Sequence, residues 1–134
     1  LREKGLDPEN ISNARVSEYI FDMADCMAAA DLIISRAGAS SLAEIEALGK
    51  TSLLVPSPYV SENHQYHNAM ALAEKEAAIV IEQKNLTSEK VIGVITELAE
   101  NPKKFKRIGD NARNLAVVDA QKKICDIIVS LAEQ

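Results

Sequence analysis

The chain has 134 residues, of which 47% are apolar, and a formal net charge of −5. This length suffices for one ordinary domain and is too short for two sizeable ones. The negative charge argues against a nucleic-acid partner, because phosphate backbones are bound by clustered Lys and Arg. No apolar run reaches the ~18 residues that a membrane span needs, and residues 1–10 have no signal-peptide core, so we expect a cytoplasmic location.

Segments typical of strands and of helices alternate along the chain. Four strands are predicted, at residues 14–20, 32–36, 51–58 and 77–83. Helices are predicted after Asp22, which can cap the first of them, after Ser41, from Glu62 or Asn63, from Thr87, after Pro102 and after Asp119. This alternation predicts the α/β class, with a parallel sheet of about four strands and flanking helices.

Residues 31–49 combine a buried strand, a turn containing Gly38 and the start of a helix. Such a helix start aims unpaired backbone amides at the space above the sheet edge, which favours an anionic ligand. Ser40 and Ser41 stand where an N-cap is expected, and Glu44 follows Ser41 at the spacing of a capping box. Two interpretations of Glu44 are therefore open. It either reaches back to the cap amide or accepts hydrogen bonds from a ribose, with Ser41 facing a phosphate.

A second polar cluster begins the next helix. His64, Gln65 and Asn68 share one arc of that helix, and their side chains offer the donors and acceptors that sugar hydroxyls require. A solvated helix face is the alternative. Because the preceding strand should end at the same rim as Gly38, we expect both clusters to border one crevice. His64 and His67 lack a third ligand, so no metal site is predicted.

The positions of the glycines, cysteines and basic residues limit which ligands and bonds the chain is expected to have. The five glycines are scattered and form neither a G-x-G-x-x-G loop nor a Walker loop, and no cofactor is expected. Cys26 and Cys125 are isolated, and we expect both to be reduced and buried. The basic residues between 103 and 107 are expected to form the wet face of an amphipathic helix.

Two motifs together resemble a known signature. They are Gly38-x-x-Ser41-x-x-Glu44-x-x-x-x-Gly49 and, after Pro56, Gln65-x-x-Asn68-Ala69. This combination resembles the donor-sugar signature in the C-terminal half of GT-B nucleotide-sugar glycosyltransferases. The segments SRAGASSLAEIEALGK and LLVPSPYVSENHQYHNAMALAEK are most similar to the family 28 type, which adds N-acetylglucosamine to the undecaprenyl-pyrophosphoryl-muramoyl-pentapeptide of bacterial cell-wall synthesis. The resemblance runs from about Val16 to the end.

The resemblance implies a set of nucleotide contacts. The backbone of Ile20 would face the uracil, and Glu44 would hold the ribose hydroxyls. Ala39, Ser40 and Ser41 would lie along the diphosphate and the sugar.

It also implies how the sugar is read. Gln65 and Asn68 would contact the hydroxyls of N-acetylglucosamine, with His64 beside them. No catalytic residue and no metal ligand is implied in this chain, because the general base of the family comes from the N-terminal domain. Transfer would proceed with inversion at the anomeric carbon.

The resemblance further implies that residues 1–134 are a partial C-terminal, donor-binding domain of a GT-B fold, an incomplete Rossmann-like unit. Its first strand with the glycine-rich loop would be absent, as would the whole N-terminal acceptor domain. We therefore expect UDP-N-acetylglucosamine as a partner, a lipid-linked acceptor bound through the missing domain, and no turnover by this chain alone. The full-length protein would be peripheral on the cytoplasmic face of the bacterial inner membrane.

A structural consequence follows from the missing strands. They would separate residues 14–20 from residues 32–36, so we expect rearranged pairing, self-association of the isolated chain, or poor order near residues 1–30. Two alternatives remain open. One is the donor half of another GT-B enzyme, such as a glycolipid synthase or a split transferase. The other is a non-catalytic nucleotide-sugar-binding or structural α/β module.

Overall fold

A single parallel sheet forms the centre of the molecule. In the computed structural model, which describes residues 13–132, three strands lie in the order β1 (Leu32–Ser35), β2 (Thr51–Leu54) and β3 (Ile79–Val80). Leu32 pairs with Thr51, and Leu53 pairs with Ile79. All of β2 is buried. Since successive side chains of a strand point to opposite faces, β2 is covered on both faces, as parallel sheets require. The predicted α/β class with a parallel sheet is confirmed. The burial predicted for the strand in residues 31–49 is wrong, because β1 lies at the edge of the described sheet and its Ile34 is 50% exposed.

The first predicted strand is wrong. Residues 14–20 have no strand structure, and their side chains are exposed, with Tyr19 at 70%. An alternating pattern becomes a strand only where a neighbour completes its hydrogen-bond ladder, and the described strands leave residues 14–20 unpaired. The sheet therefore has three strands instead of about four. Rearranged pairing of residues 14–20, the first alternative expected, is not observed either. Residues 1–12 lie outside the described part of the chain.

Six α-helices occur between residues 13 and 132. They are α1 (Met23–Ala29), α2 (Ala39–Leu48), α3 (His64–Ala73), α4 (Ser88–Glu100), α5 (Pro102–Leu115) and α6 (Ala120–Ala132). Thr87 caps the start of α4, because its side-chain oxygen accepts a hydrogen bond from the Lys90 amide. Asp22 precedes α1 but makes no side-chain cap bond, so the capping expected of it does not occur.

The core lies between β2 and the helices around it. Leu42 and Ile45 from α2, Leu72 from α3 and Ala112 from α5 pack with Leu54 in one cluster of buried residues. Lys106 and Arg107 of α5 are exposed while Ile108 is buried, which confirms the predicted amphipathic helix. This packing makes a rigid base beneath the ends of the strands.

Other apolar and sulfur groups remain at the surface. Isoleucines 124, 127 and 128 of α6 are each more than half exposed. Cys26 and Cys125 are free and exposed, so their predicted burial is wrong. Among residues 13–132, no helix is both long enough and apolar enough to cross a membrane.

Candidate functional site

The carboxyl ends of the three strands define one edge of the sheet, here called the carboxyl-terminal rim. Its loops are residues 36–38 after β1, 55–63 after β2 and 81–85 after β3. The amide of Val55 donates to Ser35 O at 2.9 Å, and the amide of Ile81 donates to Leu54 O at 3.0 Å. These bonds extend the ladder past the strands and fix the starting points of the loops. Open α/β sheets bind ligands at this edge.

The helix that leaves the rim after β1 begins earlier than the serine pair predicts. Gly38 is the N-cap of α2, and the first intrahelical bond runs from the Leu42 amide to Gly38 O at 3.0 Å. No side chain caps this helix, so the capping box, one of the two interpretations of Ser41 and Glu44, does not form. The amides of residues 38–41 are the unpaired donors of the helix start.

Acidic side chains of α2 differ in their surroundings. Glu44 is exposed. Two residues further along, desolvation by partial burial raises the pKa of the Glu46 carboxyl. With the capping interpretation removed, the Glu44 carboxylate is available to accept hydrogen bonds from a ligand.

Two amide side chains of α3 contact the loops at the rim. The Asn68 Nδ2 donates to Ala37 O at 3.3 Å, and the Gln65 Oε1 accepts from the Ser57 amide at 3.0 Å. Asn68 thus reaches the turn after β1, and Gln65 reaches the loop after β2. The start of α3 is therefore held beside the turn from which α2 begins. The two polar helix starts thus lie near each other at the rim, while the crevice shared by both clusters stays a prediction.

The entry to α3 has an unusual backbone. Glu62 and Asn63 both adopt the left-handed region, with φ of 53° and 52°. Each such residue costs about 1–3 kcal/mol, and it persists only where the surroundings fix it, often at ligand sites. His64 follows directly, and its Nδ1 lies 2.9 Å from Ser61 O while its side chain is exposed. The backbone of this entry orients both His64 and Gln65 at the rim.

Ile20 belongs to the segment before α1. It lines a cavity of about 220 Å³ together with other side chains of the segment 15–26, among them Tyr19 and Phe21. None of the rim residues lines that cavity. The role of Ile20 in uracil binding stays a prediction.

Arg36 is a further residue at the rim, which no sequence motif indicates. Its Nη1 donates to Val55 O at 3.1 Å and to Gln83 Oε1 at 2.6 Å. The available signal was a long cationic side chain between an apolar strand and a glycine turn, where it can reach the ends of neighbouring strands. We call this pair the Arg36–Gln83 clasp.

Three kinds of group lie at this rim: the unpaired backbone amides that begin α2, the exposed Glu44 carboxylate, and the side-chain amides of Gln65 and Asn68. Together they define a class of site. It is the kind with which α/β proteins hold phosphate-containing ligands that carry hydroxyl groups. The sequence profile described as "Glycosyltransferase family 28 C-terminal domain" matches residues 2–124. The chain belongs to this family.

Curated relatives share one name. A protein of Desulforamulus reducens is 42% identical over 124 residues, which are 92% of this chain and 33% of the relative. One of Acetivibrio thermocellus is 45% identical over 116 residues, which are 87% of this chain and 31% of the relative. Both are named UDP-N-acetylglucosamine–N-acetylmuramyl-(pentapeptide) pyrophosphoryl-undecaprenol N-acetylglucosamine transferase. The chain therefore spans about a third of the length of these relatives.

A solved structure agrees with this assignment. The crystal structure of Acinetobacter baumannii MurG matches with a TM-score of 0.79 and 34% identity. The match covers 87% of this chain and 33% of that one. The parallel sheet with its flanking helices is thus the arrangement of a MurG-like domain.

Proposed function

We propose that this chain is the donor-binding part of an inverting glycosyltransferase that moves N-acetylglucosamine from its UDP donor to a lipid-linked muramoyl-pentapeptide, giving the disaccharide precursor of peptidoglycan. The observation that carries the proposal is the bond from Asn68 Nδ2 to Ala37 O. It joins the polar start of α3 to the turn that begins α2. The names of the relatives supply the identity of donor and acceptor.

Each group at the rim has a role that its chemistry supports. The free amides at Ala39, Ser40 and Ser41 would bind the diphosphate, because a helix start carries a partial positive charge. The exposed Glu44 carboxylate would accept from the ribose hydroxyls. His64, Gln65 and Asn68 would read the hydroxyls of the sugar.

The same geometry explains how the leaving group would be stabilised. Breaking the anomeric bond leaves the electron pair on the UDP diphosphate, whose negative charge grows in the transition state. Fixed amide donors stabilise that charge without reorganisation. The acceptor hydroxyl attacks the opposite face of the sugar, so the configuration inverts. We propose that the base that takes its proton lies outside these 134 residues.

The acceptor suggests where the reaction occurs. Undecaprenol in the relatives' name is a lipid, so a transferase acting on it meets its acceptor at a membrane surface. We propose that the acceptor is bound by polypeptide beyond the family 28 C-terminal domain, and that the protein is peripheral on the cytoplasmic face.

Calorimetric titration with UDP-N-acetylglucosamine, UDP-glucose and UDP tests the proposal. We expect binding of all three, with N-acetylglucosamine preferred over glucose. Glu44→Ala should weaken UDP binding roughly tenfold to a hundredfold, the loss expected for hydrogen bonds to a charged group. Its melting temperature should not change, because no capping bond is present to be lost.

Glu46→Ala is the matched control, since it removes a carboxylate from the same helix at a partly buried position. It should leave UDP affinity unchanged. No heat with any ligand, in protein shown to be folded, would instead favour a structural module. Equal affinity for the two sugar nucleotides would favour another glycosyltransferase.

A further inference from the structure

The Arg36–Gln83 clasp connects the ends of all three strands. Arg36 follows β1, Val55 follows β2, and Gln83 lies in the 3₁₀ turn Gln83–Asn85 after β3. One guanidinium nitrogen donates to both Val55 O and Gln83 Oε1. Hydrogen bonds to a charged donor are stronger than neutral ones, and the planar guanidinium fixes their directions.

The clasp acts next to the turn that begins α2. Ala37 is fully buried, and its carbonyl accepts the bond from Asn68. The turn is therefore held at its first residue by the bonds of Arg36 and at its second residue by the bond from Asn68. Gly38, the N-cap of α2, comes next, so the direction of the free amides at residues 39–41 depends on this turn.

We propose that Arg36 and Gln83 are positioning residues for the donor. The clasp holds the turn at residues 36–38 in the orientation that aims the start of α2 at the diphosphate. The inference rests on the proposed function. It gives Gln83, which is not among the proposed donor contacts, an indirect role in donor binding. A direct contact between Arg36 and a phosphate is the competing explanation, and in that case Gln83 has no effect on the donor.

The experiment uses the full-length polypeptide that contains these residues, with Arg36→Lys, Gln83→Ala and the double variant. Donor affinity is measured by calorimetry, and amide hydrogen exchange is followed in the peptide covering residues 37–42. We expect each single variant to bind UDP-N-acetylglucosamine roughly tenfold more weakly. The double variant should bind no more weakly than the weaker single variant, because both remove the same clasp. Exchange at residues 37–42 should become faster in all three.

The matched control is Arg113→Lys. Arg113 Nη2 also donates to a backbone carbonyl, Leu48 O at 2.8 Å, but at the opposite edge of the sheet. This variant should keep both donor affinity and exchange at residues 37–42. Gln83→Ala that behaves as wild type, or losses that add in the double variant, would overturn the proposal. If the wild type binds no donor, the proposed function fails, while the exchange rates still decide whether the clasp holds the turn.

Discussion

At the scale of single residues, Asn68 combines a structural bond with a proposed ligand contact. Its Nδ2 donates to Ala37 O, which leaves the Oδ1 acceptor and one N–H for the sugar. We expect Asn68→Ala to weaken binding of UDP-N-acetylglucosamine roughly tenfold, measured by calorimetry. Stability should fall by about 1–3 kcal/mol, because the substitution removes a donor from the carbonyl of the buried Ala37.

His67→Ala is the control for this variant. His67 is the exposed neighbour of Asn68, and its ring lies against Tyr66 with centroids 5.9 Å apart. Its removal should leave donor affinity unchanged. Equal losses in both variants would mean that the helix, and not the Asn68 amide, was perturbed.

At the scale of elements, the two ends of α2 show what sequence can predict. Gly49 ends the helix as predicted, because it occupies the left-handed conformation that favours glycine. The helix starts earlier than the sequence predicts, at Ala39 and not after the pair Ser40 and Ser41. A serine pair offers good local caps, but the burial of Ala37 and its bond to Asn68 fix the turn, so Gly38 becomes the N-cap. Those contacts are not local, and the sequence pattern does not contain them.

The end of α2 allows a sharp stability test. At Gly49, φ is +62°, and an added Cβ would lie 2.5 Å from Arg113 Nε. We expect Gly49→Ala to destabilise the fold by about 1–2 kcal/mol or more, from backbone strain and from the displaced Arg113 side chain. The measurement is chemical denaturation followed by circular dichroism.

Gly93 provides the opposite case for the same measurement. It lies inside α4, and an added Cβ would meet nothing within 4 Å. Gly93→Ala should therefore stabilise the protein by about 0.5–1 kcal/mol, the difference in helix propensity. If both substitutions lower the free energy of unfolding, the space around each glycine does not determine the change in stability.

At the scale of the whole molecule, the α/β class and the order of its elements followed from local patterns. Apolar residues predicted the strands β1 and β2, and the helices after Thr87 and Pro102 carry their own start signals. Strand pairing is a property of the whole sheet, which is why residues 14–20 looked like a strand but are not one. The α/β pattern also predicted that the rim loops lie together, because parallel strands end at one edge of the sheet. The contacts of Arg36 could not be predicted, because its partners are 19 and 47 residues away in the sequence.

The exposed apolar face of α6 should favour self-association of the chain. Ile124, Ile127 and Ile128 are 57–61% exposed, and they lie on one side of the helix. We expect the 134-residue chain to self-associate with rising concentration in sedimentation velocity experiments. Ile127→Lys should reduce this association without lowering the melting temperature, because the side chain is not in the core. Val129→Lys, the same change on the other side of α6, should have little effect. A chain that stays monomeric at all concentrations, or equal effects of the two lysines, would show that this face does not drive association.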